Sequence, residues 1–244
     1  MKKTLTIGIP AYNEEKNIRD TFLTITKAHK KFKDLNLDII IINDGSKDRT
    51  AEIADEIASL NKNVLVIHNE INEGLGVGFR KALASAKGEY FLFVPGDNDL
   101  PVELLVSLFA EIGKADIIIS YFLNREVRGR IRNTISIIYN TVYMVTFGVF
   151  VFYINGPAIY HTEKLKQLNL NANRFSIIVE ATIKILCSGA TFLEVPGKLQ
   201  TGSNGSTAMS FRNLREVIKA FFLLIWEVKY KNKNKYSNPP VRNS

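Results

Sequence analysis

The feature that most constrains this chain is the alternation, through its first 120 residues, of short β-rich runs with amphipathic helical ones. Residues 37–42 are apolar apart from Asp38, as expected of a strand buried on both faces of a parallel sheet. Residues 5–9, 64–67, 90–94 and 116–120 read as further strands. Between them, residues 15–32 place Ile18, Phe22, Ile25 and Phe32 on one helical face. Helices are also expected over 49–60 and 77–86, and Pro101 stands where the first turn of another tolerates proline. This β-α-β-α order predicts an α/β fold with a mostly parallel sheet and helices on both faces. Ligands of such sheets sit beyond the carboxyl ends of the strands.

The second half has a different texture. Arg125, Arg128, Arg130 and Arg132 form a basic cluster, after which residues 133–160 contain no Asp, Glu, Lys or Arg. That stretch is long enough to span a bilayer. However, Asn133, Thr134, Ser136, Asn140, Thr141 and Asn155 interrupt it, and Gly148 and Gly156-Pro157 break helices. An in-plane amphipathic helix or a buried helix pair is the better expectation, with the arginines available to anionic head groups. A helix over 176–187, a strand over 191–195, a Gly/Ser-rich loop at 202–206 and a helix from Phe211 follow. The last helix spaces Leu214, Val217, Ile218, Phe221, Leu224, Ile225 and Val228 helically, and Asn238-Pro239-Pro240 reads as a frayed end. With 46% hydrophobic and 23% charged residues the chain is globular rather than disordered. Its net charge of +8 suits an anionic partner. The lone cysteine, Cys187, allows no intramolecular disulfide and fits a reducing compartment. The N-terminal residues do not have the form of a signal peptide.

Three polar clusters fall where strands end: Pro10-Ala11-Tyr12-Asn13-Glu14, Asn43-Asp44-Gly45-Ser46 and Asp97-Asn98-Asp99. Two carboxylates one residue apart can share a hard cation, which prefers oxygen ligands and completes its shell with water and phosphate. Such a cation would neutralise a departing diphosphate. Asp44 is placed to accept a hydrogen bond from a nucleobase N–H, and Tyr12 and Glu14 to meet ribose and base. Taken singly, each cluster also fits an ordinary Asp/Asn turn or a helix cap.

The ordered set, together with Asn72-Glu73-Gly74-Leu75-Gly76, resembles the family 2 glycosyltransferases through most of the first 120 residues. The resemblance implies a GT-A fold over residues 1–210, with residues 125–160 inserted as a basic and apolar membrane-surface segment. An amphipathic helix and basic tail (211–236) and a frayed tail (237–244) would follow. The second half is most similar to the dolichol-phosphate mannose synthase group, in the basic cluster before an apolar span, in residues 175–180 and 185–196, and in Gly205-Ser206-Thr207 before the last helix. By matching positions, nucleotide contacts are implied for Pro10, Tyr12, Glu14 and Asp44, and metal (Mg or Mn) and diphosphate contacts for Asp97 and Asp99. The pattern departs at three places. Asn43 stands for an aspartate, Thr201 and Thr207 for a phosphate-binding Arg and Lys, and Tyr153 for an aspartate of the acceptor loop.

The resulting expectation is an inverting glycosyltransferase that moves a sugar from a UDP- or GDP-sugar to a lipid phosphate or a glycan. It would act on the cytoplasmic face of a membrane, peripherally attached. A hydroxyl acceptor needs a base, for which Glu180 or an aspartate of the 97–99 cluster is the candidate. A lipid phosphate, with a second pKa of about 6, does not. Other classes fare less well. Gly74-Leu75-Gly76-Val77-Gly78 lacks the G-x-G-x-x-G spacing of a dinucleotide-dependent oxidoreductase. No motif supports nucleic-acid binding. A catalytically silent homologue would have little reason to carry both Asp97 and Asp99.

Overall fold

The computed structural model describes residues 2–198 and 211–243. Eight strands form one sheet: β1 (Lys3–Ala11), β2 (Leu35–Asp44), β3 (Val64–Asn69), β4 (Tyr90–Phe93), β5 (Ile117–Phe122), β6 (Ala158–His161), β7 (Thr191–Gly197) and β8 (Val241–Arg242). Their order is β3-β2-β1-β4-β6-β5-β7-β8. All neighbours run parallel except β6, which is antiparallel to β4 and β5. The helices are α1 (Ile18–His29), α2 (Thr50–Leu60), α3 (Leu75–Ser85), α4 (Val102–Ala110), α5 (Arg130–Phe147), α6 (Thr162–Lys166), α7 (Ser176–Cys187) and α8 (Phe211–Ile225). A π-helical turn, Trp226–Lys231, continues α8.

The expected burial of both sheet faces is visible within β2. Ile39 and Ile41 point into one core with Ile7, Ile9, Ile18, Ile25 and Leu104. Ile40 and Ile42 point into the other, with Phe79, Phe91 and Phe93. This is the period-2 alternation of a strand, and here both directions are apolar because α1 and α4 cover one face while α3, α5, α7 and α8 cover the other.

β6 was hidden in the charge-free stretch and breaks the run of parallel strands. The chain enters it through Gly156, where a Cβ would lie 2.0 Å from the Ser120 carbonyl oxygen, so only glycine passes. α5 occupies much of the same stretch and ends at Gly148, whose φ of +69° is the left-handed conformation that closes helices. Tyr143 and Phe147 of α5 pack on Phe221 of α8, with ring centroids 4.8 and 6.2 Å apart. No helix among the described residues is long and apolar enough to cross a membrane.

The tail departs from expectation. Residues 238–243 are not frayed but docked on the open edge of β7, whose unpaired main chain offers hydrogen-bond partners. Asn238 N–H donates to the Cys187 carbonyl (3.2 Å), Val241 N–H to Ala190 (3.1 Å) and Asn243 N–H to Phe192 (2.8 Å).

α7 is tied to the end of α8 by a buried ion triad. Lys184, fully buried, reaches Glu180 Oε1 at 2.5 Å and also meets Glu227 and the Asn169 carbonyl. Removing the cation strands two carboxylates in a poorly solvated place, which typically costs about 3–5 kcal/mol. Lys184→Ala is therefore expected to lower unfolding free energy by about that amount in urea titrations. An unchanged midpoint would show that the triad contributes nothing.

Candidate active site at the carboxyl edge of the sheet

The loops leaving β1 and β2 are laced together by their side chains. Asn13 adopts a left-handed backbone (φ 58°), its N–H donates to Ser46 Oγ (3.0 Å), and its own Oδ1 accepts from Lys47 N–H (2.8 Å). Glu14 N–H donates to Thr50 Oγ1 at 2.8 Å. Pro10 and Ala11 end β1, paired with Ile42 and Asn43 of β2, and Tyr12 is 45% exposed at the rim beside them.

Asp44 is buried at the end of β2 and its carboxylate already has partners. Oδ1 accepts from Asn69 Nδ2 (2.7 Å) and Glu73 N–H (2.9 Å), and Oδ2 from Gly74 N–H (2.8 Å). Asp44 thus pins the loop after β3 against the sheet edge. Gly45 lets that loop pass: its φ is +70°, and a Cβ there would lie 2.5 Å from the Ile71 backbone.

The Asp97-Asn98-Asp99 turn hangs on β1. Gly96 N–H donates to the Pro10 carbonyl at 3.1 Å, and Thr21 Oγ1 donates to Gly96 O at 3.0 Å. Asn98, also left-handed (φ 56°), turns back to α1, where its Oδ1 accepts from Thr24 Oγ1 (2.9 Å). Asp97 and Asp99 both face the cleft beside the turn, and Asp99 N–H donates to Asp97 Oδ1 at 3.2 Å. Burial pushes the Glu14 carboxyl up. Asn17, donating to it at 2.8 Å, opposes this, while the charges of Asp97, Asp48 and Asp99 add to it. The first and third motifs therefore share one field of negative charge, which suits a cation. The described residues hold no group of three or more acidic, His or Cys ligands. A hard ion at this edge would take Asp97 and Asp99 and fill its shell with water and phosphate oxygens.

On the far side of this turn from β1 and β2 lies a cleft of about 450 Å³. Its walls are mostly apolar and aromatic, including Phe93, Tyr139, Tyr153 and Phe175, with the charged groups Arg125, Arg174 and Glu216 among them. Arg125 donates to the Phe152 carbonyl (2.7 Å) and lies 4.8 Å from the centre of the Tyr153 ring. Arg174 forms a 2.6 Å ion pair with Glu216 of α8. Pro10, Tyr12, Glu14 and Asp44 do not line this cleft. The Asp97/Asp99 pair therefore stands between two compartments, a polar rim over β1 and β2 and an apolar pocket under α5 and α8.

Glu180, the expected base, is not in either compartment. It is 6% exposed, accepts from Asn171 N–H (3.1 and 3.0 Å) and Ala172 N–H (2.7 Å), and pairs with Lys184. Both oxygens are engaged in holding the 169–174 loop and Lys184, and Glu180 does not line the cleft. Arg174 and Glu216 escaped sequence reasoning because Arg174 is a solitary charge and Glu216 is one of several charges on an amphipathic helix, and nothing local pairs them. The loop at 202–206, with Thr201, Thr207 and Gly205-Ser206-Thr207, lies outside the described residues, as do the side chains of Arg128, Arg132 and Leu214.

Comparison with known proteins bears on the fold and the family. The glucosyl-3-phosphoglycerate synthase of Mycobacterium tuberculosis, in complex with Mn²⁺, UDP-glucose and phosphoglyceric acid, superposes with a TM-score of 0.67 at 17% identity, over 91% of this chain and 80% of that one. The shared architecture is the GT-A fold. The polyprenol monophosphomannose synthase of Mycolicibacterium smegmatis is 29% identical over 233 residues, 89% of this chain and 84% of that protein. A dolichyl-phosphate beta-glucosyltransferase of Trichomonas vaginalis is 30% identical over 112 residues, and there the match spans 44% of this chain and only about a third (35%) of the relative. The family profile for glycosyl transferase family 2 matches residues 6–169. With two thirds of its length matched to that profile, the chain belongs to glycosyl transferase family 2.

Proposed function

We propose that this chain is an inverting glycosyltransferase that takes its sugar from a UDP- or GDP-sugar and passes it to a polyprenyl or dolichyl phosphate at the inner face of a membrane. The observation that carries the reading is the position of Asp97 and Asp99 between the nucleotide-side rim and the apolar cleft. In this reading Pro10, Tyr12 and Glu14 receive the nucleoside, and Asp44 holds the loop that closes over it. Asp97 and Asp99 hold Mg or Mn, which supplies charge neutralisation to the departing diphosphate. The sugar then lies over the 97–99 turn with its anomeric carbon turned toward the cleft, and a single displacement from that side inverts it.

The acceptor class follows from what the cleft offers. A hydroxyl acceptor would need a spare carboxylate; Glu180 is engaged elsewhere, and in this reading Asp97 and Asp99 are taken by the cation. A phosphate monoester is largely ionised near neutrality and attacks without one. Arg125 and Arg174 provide charge for its head, and the aromatic walls provide an apolar path for its chain. The names of the relatives point the same way.

Peripheral membrane contact is supported by the outer faces of two adjoining helices. Ile138, Val142 and Val145 of α5 and Ile218, Phe222 and Leu223 of α8 are exposed, with Trp226 and Tyr230 just beyond. Clustered exposure of large apolar side chains on these helices supports an interaction surface there.

Two measurements test these assignments. Replacing Asp97 or Asp99 by Asn should reduce Mn-dependent sugar release by about 10²–10³-fold, the rate equivalent of the several kcal/mol that a Lewis-acidic ion contributes. Turnover that survives both substitutions, or that ignores chelation, would sink the metal assignment. On vesicles of phosphatidylcholine and phosphatidylglycerol the protein should co-sediment and be stripped by carbonate, and Phe222→Ser with Leu223→Ser should weaken binding. Equal binding by the variant would place the contact elsewhere.

A further inference from the structure

The wall of the cleft that carries Tyr153, Asn155, Gly156 and Pro157 is the irregular segment between α5 and β6. Such a segment has no ladder of its own, so its position depends on what grips it from outside. Asn140 takes the inner side, its Oδ1 accepting from Ile154 N–H at 2.8 Å. Arg125 takes the Phe152 carbonyl at 2.7 Å. The outer side is held by Glu194 of β7, whose Oε1 accepts from Phe152 N–H at 2.5 Å. The Phe152 ring also lies on Tyr121, centroids 4.7 Å apart.

Glu194 is itself in an awkward place. Its side chain is 2% exposed, and burial pushes its carboxyl up against the opposing hydrogen bond from Phe152 N–H and the charge of Arg242. Arg242 belongs to β8, in the tail that sequence reading leaves frayed. Its Nη2 lies 2.5 Å from Glu194 Oε2 and donates to the Phe150 carbonyl at 3.3 Å. Its guanidinium sits 5.7 Å from the Phe152 ring centre and 5.0 Å from that of Phe192. No other ion pair to Glu194 is present among the described residues. Arg242 thus touches the segment at a carbonyl, at an aromatic ring and through the carboxylate that holds its amide. A planar, forked cation is suited to all three at once, which an ammonium is not.

We propose that Arg242 is a positioning residue for sugar transfer: docked with β8 on the sheet edge, it clamps residues 150–154 through Glu194 and so fixes Tyr153 and Arg125 on the acceptor side of the cleft. The inference rests on the transferase reading given above. It assigns the tail a task in acceptor binding rather than in donor binding, because the nucleotide-side residues lie on β1 and β2, across the 97–99 turn. Without Arg242, the buried carboxylate loses its counter-charge and is drawn toward water. The Phe152 amide goes with it, and the wall loosens. Small misplacements of this kind are costly in transfer reactions, where displacement by an ångström can cost about 10²-fold.

The test uses the full chain with Arg242→Ala, Arg242→Lys, Glu194→Gln and the Arg242→Ala/Glu194→Gln pair. Hydrogen exchange is followed in peptides covering 150–154 and, as control, 90–94. UDP and GDP binding with Mn²⁺ is measured by calorimetry. Transfer is measured with a short-chain polyprenyl phosphate. Arg242→Ala is expected to accelerate exchange at 150–154 about tenfold with the control unmoved, as for a local opening. It should raise acceptor KM about tenfold or more and leave nucleotide affinity within about twofold, the signature of lost acceptor binding. Arg242→Lys should recover part of both effects, and the double variant should be no worse than the worse single one, since the residues act as a unit. Unchanged exchange at 150–154 overturns the clamp. Accelerated exchange with unchanged acceptor KM, or an equal fall in nucleotide affinity, overturns the positioning role. Wild-type protein that binds neither nucleotide and transfers no sugar overturns the transferase reading and the positioning role together, while the exchange data still decide the clamp.

Discussion

Main-chain pairing of β1 with its two parallel neighbours is the constraint on which the rest of the structure depends. β1 pairs with β2 from Lys3↔Leu35 to Ala11↔Asn43, and with β4 from Leu5↔Tyr90 to Gly8↔Phe93. The ladder to β4 is then extended by Val94 N–H to Gly8 O and Gly96 N–H to Pro10 O. This register brings Tyr12-Asn13-Glu14 beside Asp44-Gly45-Ser46 on one side and sets Asp97 and Asp99 near Glu14 on the other. A slip by one residue would reverse every side chain of the strand. It would drive Ile7 and Ile9 out of their core and take the acidic turn off Pro10. Core packing and site assembly are therefore enforced by the same hydrogen bonds.

The two compartments flanking the turn are also tied to each other. The first turns of α3 pack on the 171–174 loop: Gly76 N–H donates to Asn173 O at 2.9 Å, and Arg80 donates to Ala172 O at 2.7 Å. The approach is close enough that a Cβ on Gly76 would lie 2.1 Å from Ala172 O. Asp44 holds one end of this contact and Glu180 the other. Glu180 is in turn neutralised by Lys184, which also binds Glu227 beyond α8. Two carboxylates that sequence reading placed at the chemistry also bracket the loops around it. Buried charges of this sort add little net stability over an apolar core, but they fix one geometry.

How much of this was legible in the sequence depended on the range of the interactions involved. The apolar run of β2 and the helical spacing in α1 are local patterns, and the structure reproduces both elements. The spacing of Asp97 and Asp99 likewise announces a pair of carboxylates that can act together. β6 was not legible, since four residues in a charge-free stretch carry no period, and antiparallel insertion between β4 and β5 is decided by chain segments far away. Glu180 and Lys184 have the i, i+4 spacing of an ion pair. Nothing local reveals that Glu227 completes the triad and buries it. Asn238-Pro239-Pro240 has the composition of a loose end. Only the open edge of β7, known once the sheet is assembled, turns it into a strand with a place for Arg242.

The helices that cover the cleft raise a question of solvent that the globular fold alone leaves open. α5 is apolar on two sides. Tyr143 and Phe147 face Phe221 and the core, while Ile131, Ile138, Val142 and Val145 are exposed. α8 and its π-helical continuation repeat the pattern, with Leu224 and Val228 inward and Ile218, Phe222, Leu223 and Trp226 outward. A helix that served only to close the core would carry polar residues on its outer face. Basic residues lie on the same elements, with Arg130 on α5, Arg215 and Lys219 on α8 and Lys229 and Lys231 in the turn. Exposed aromatic and aliphatic groups interleaved with cations match an anionic lipid surface, where the apolar groups enter the head-group boundary and the charges stay with the phosphates. An acceptor with an anionic head and an apolar chain has the same two needs as that surface. In the proposed function, a cleft under these two helices would let the acceptor's chain remain in lipid while its phosphate alone is presented to Asp97, Asp99 and the sugar.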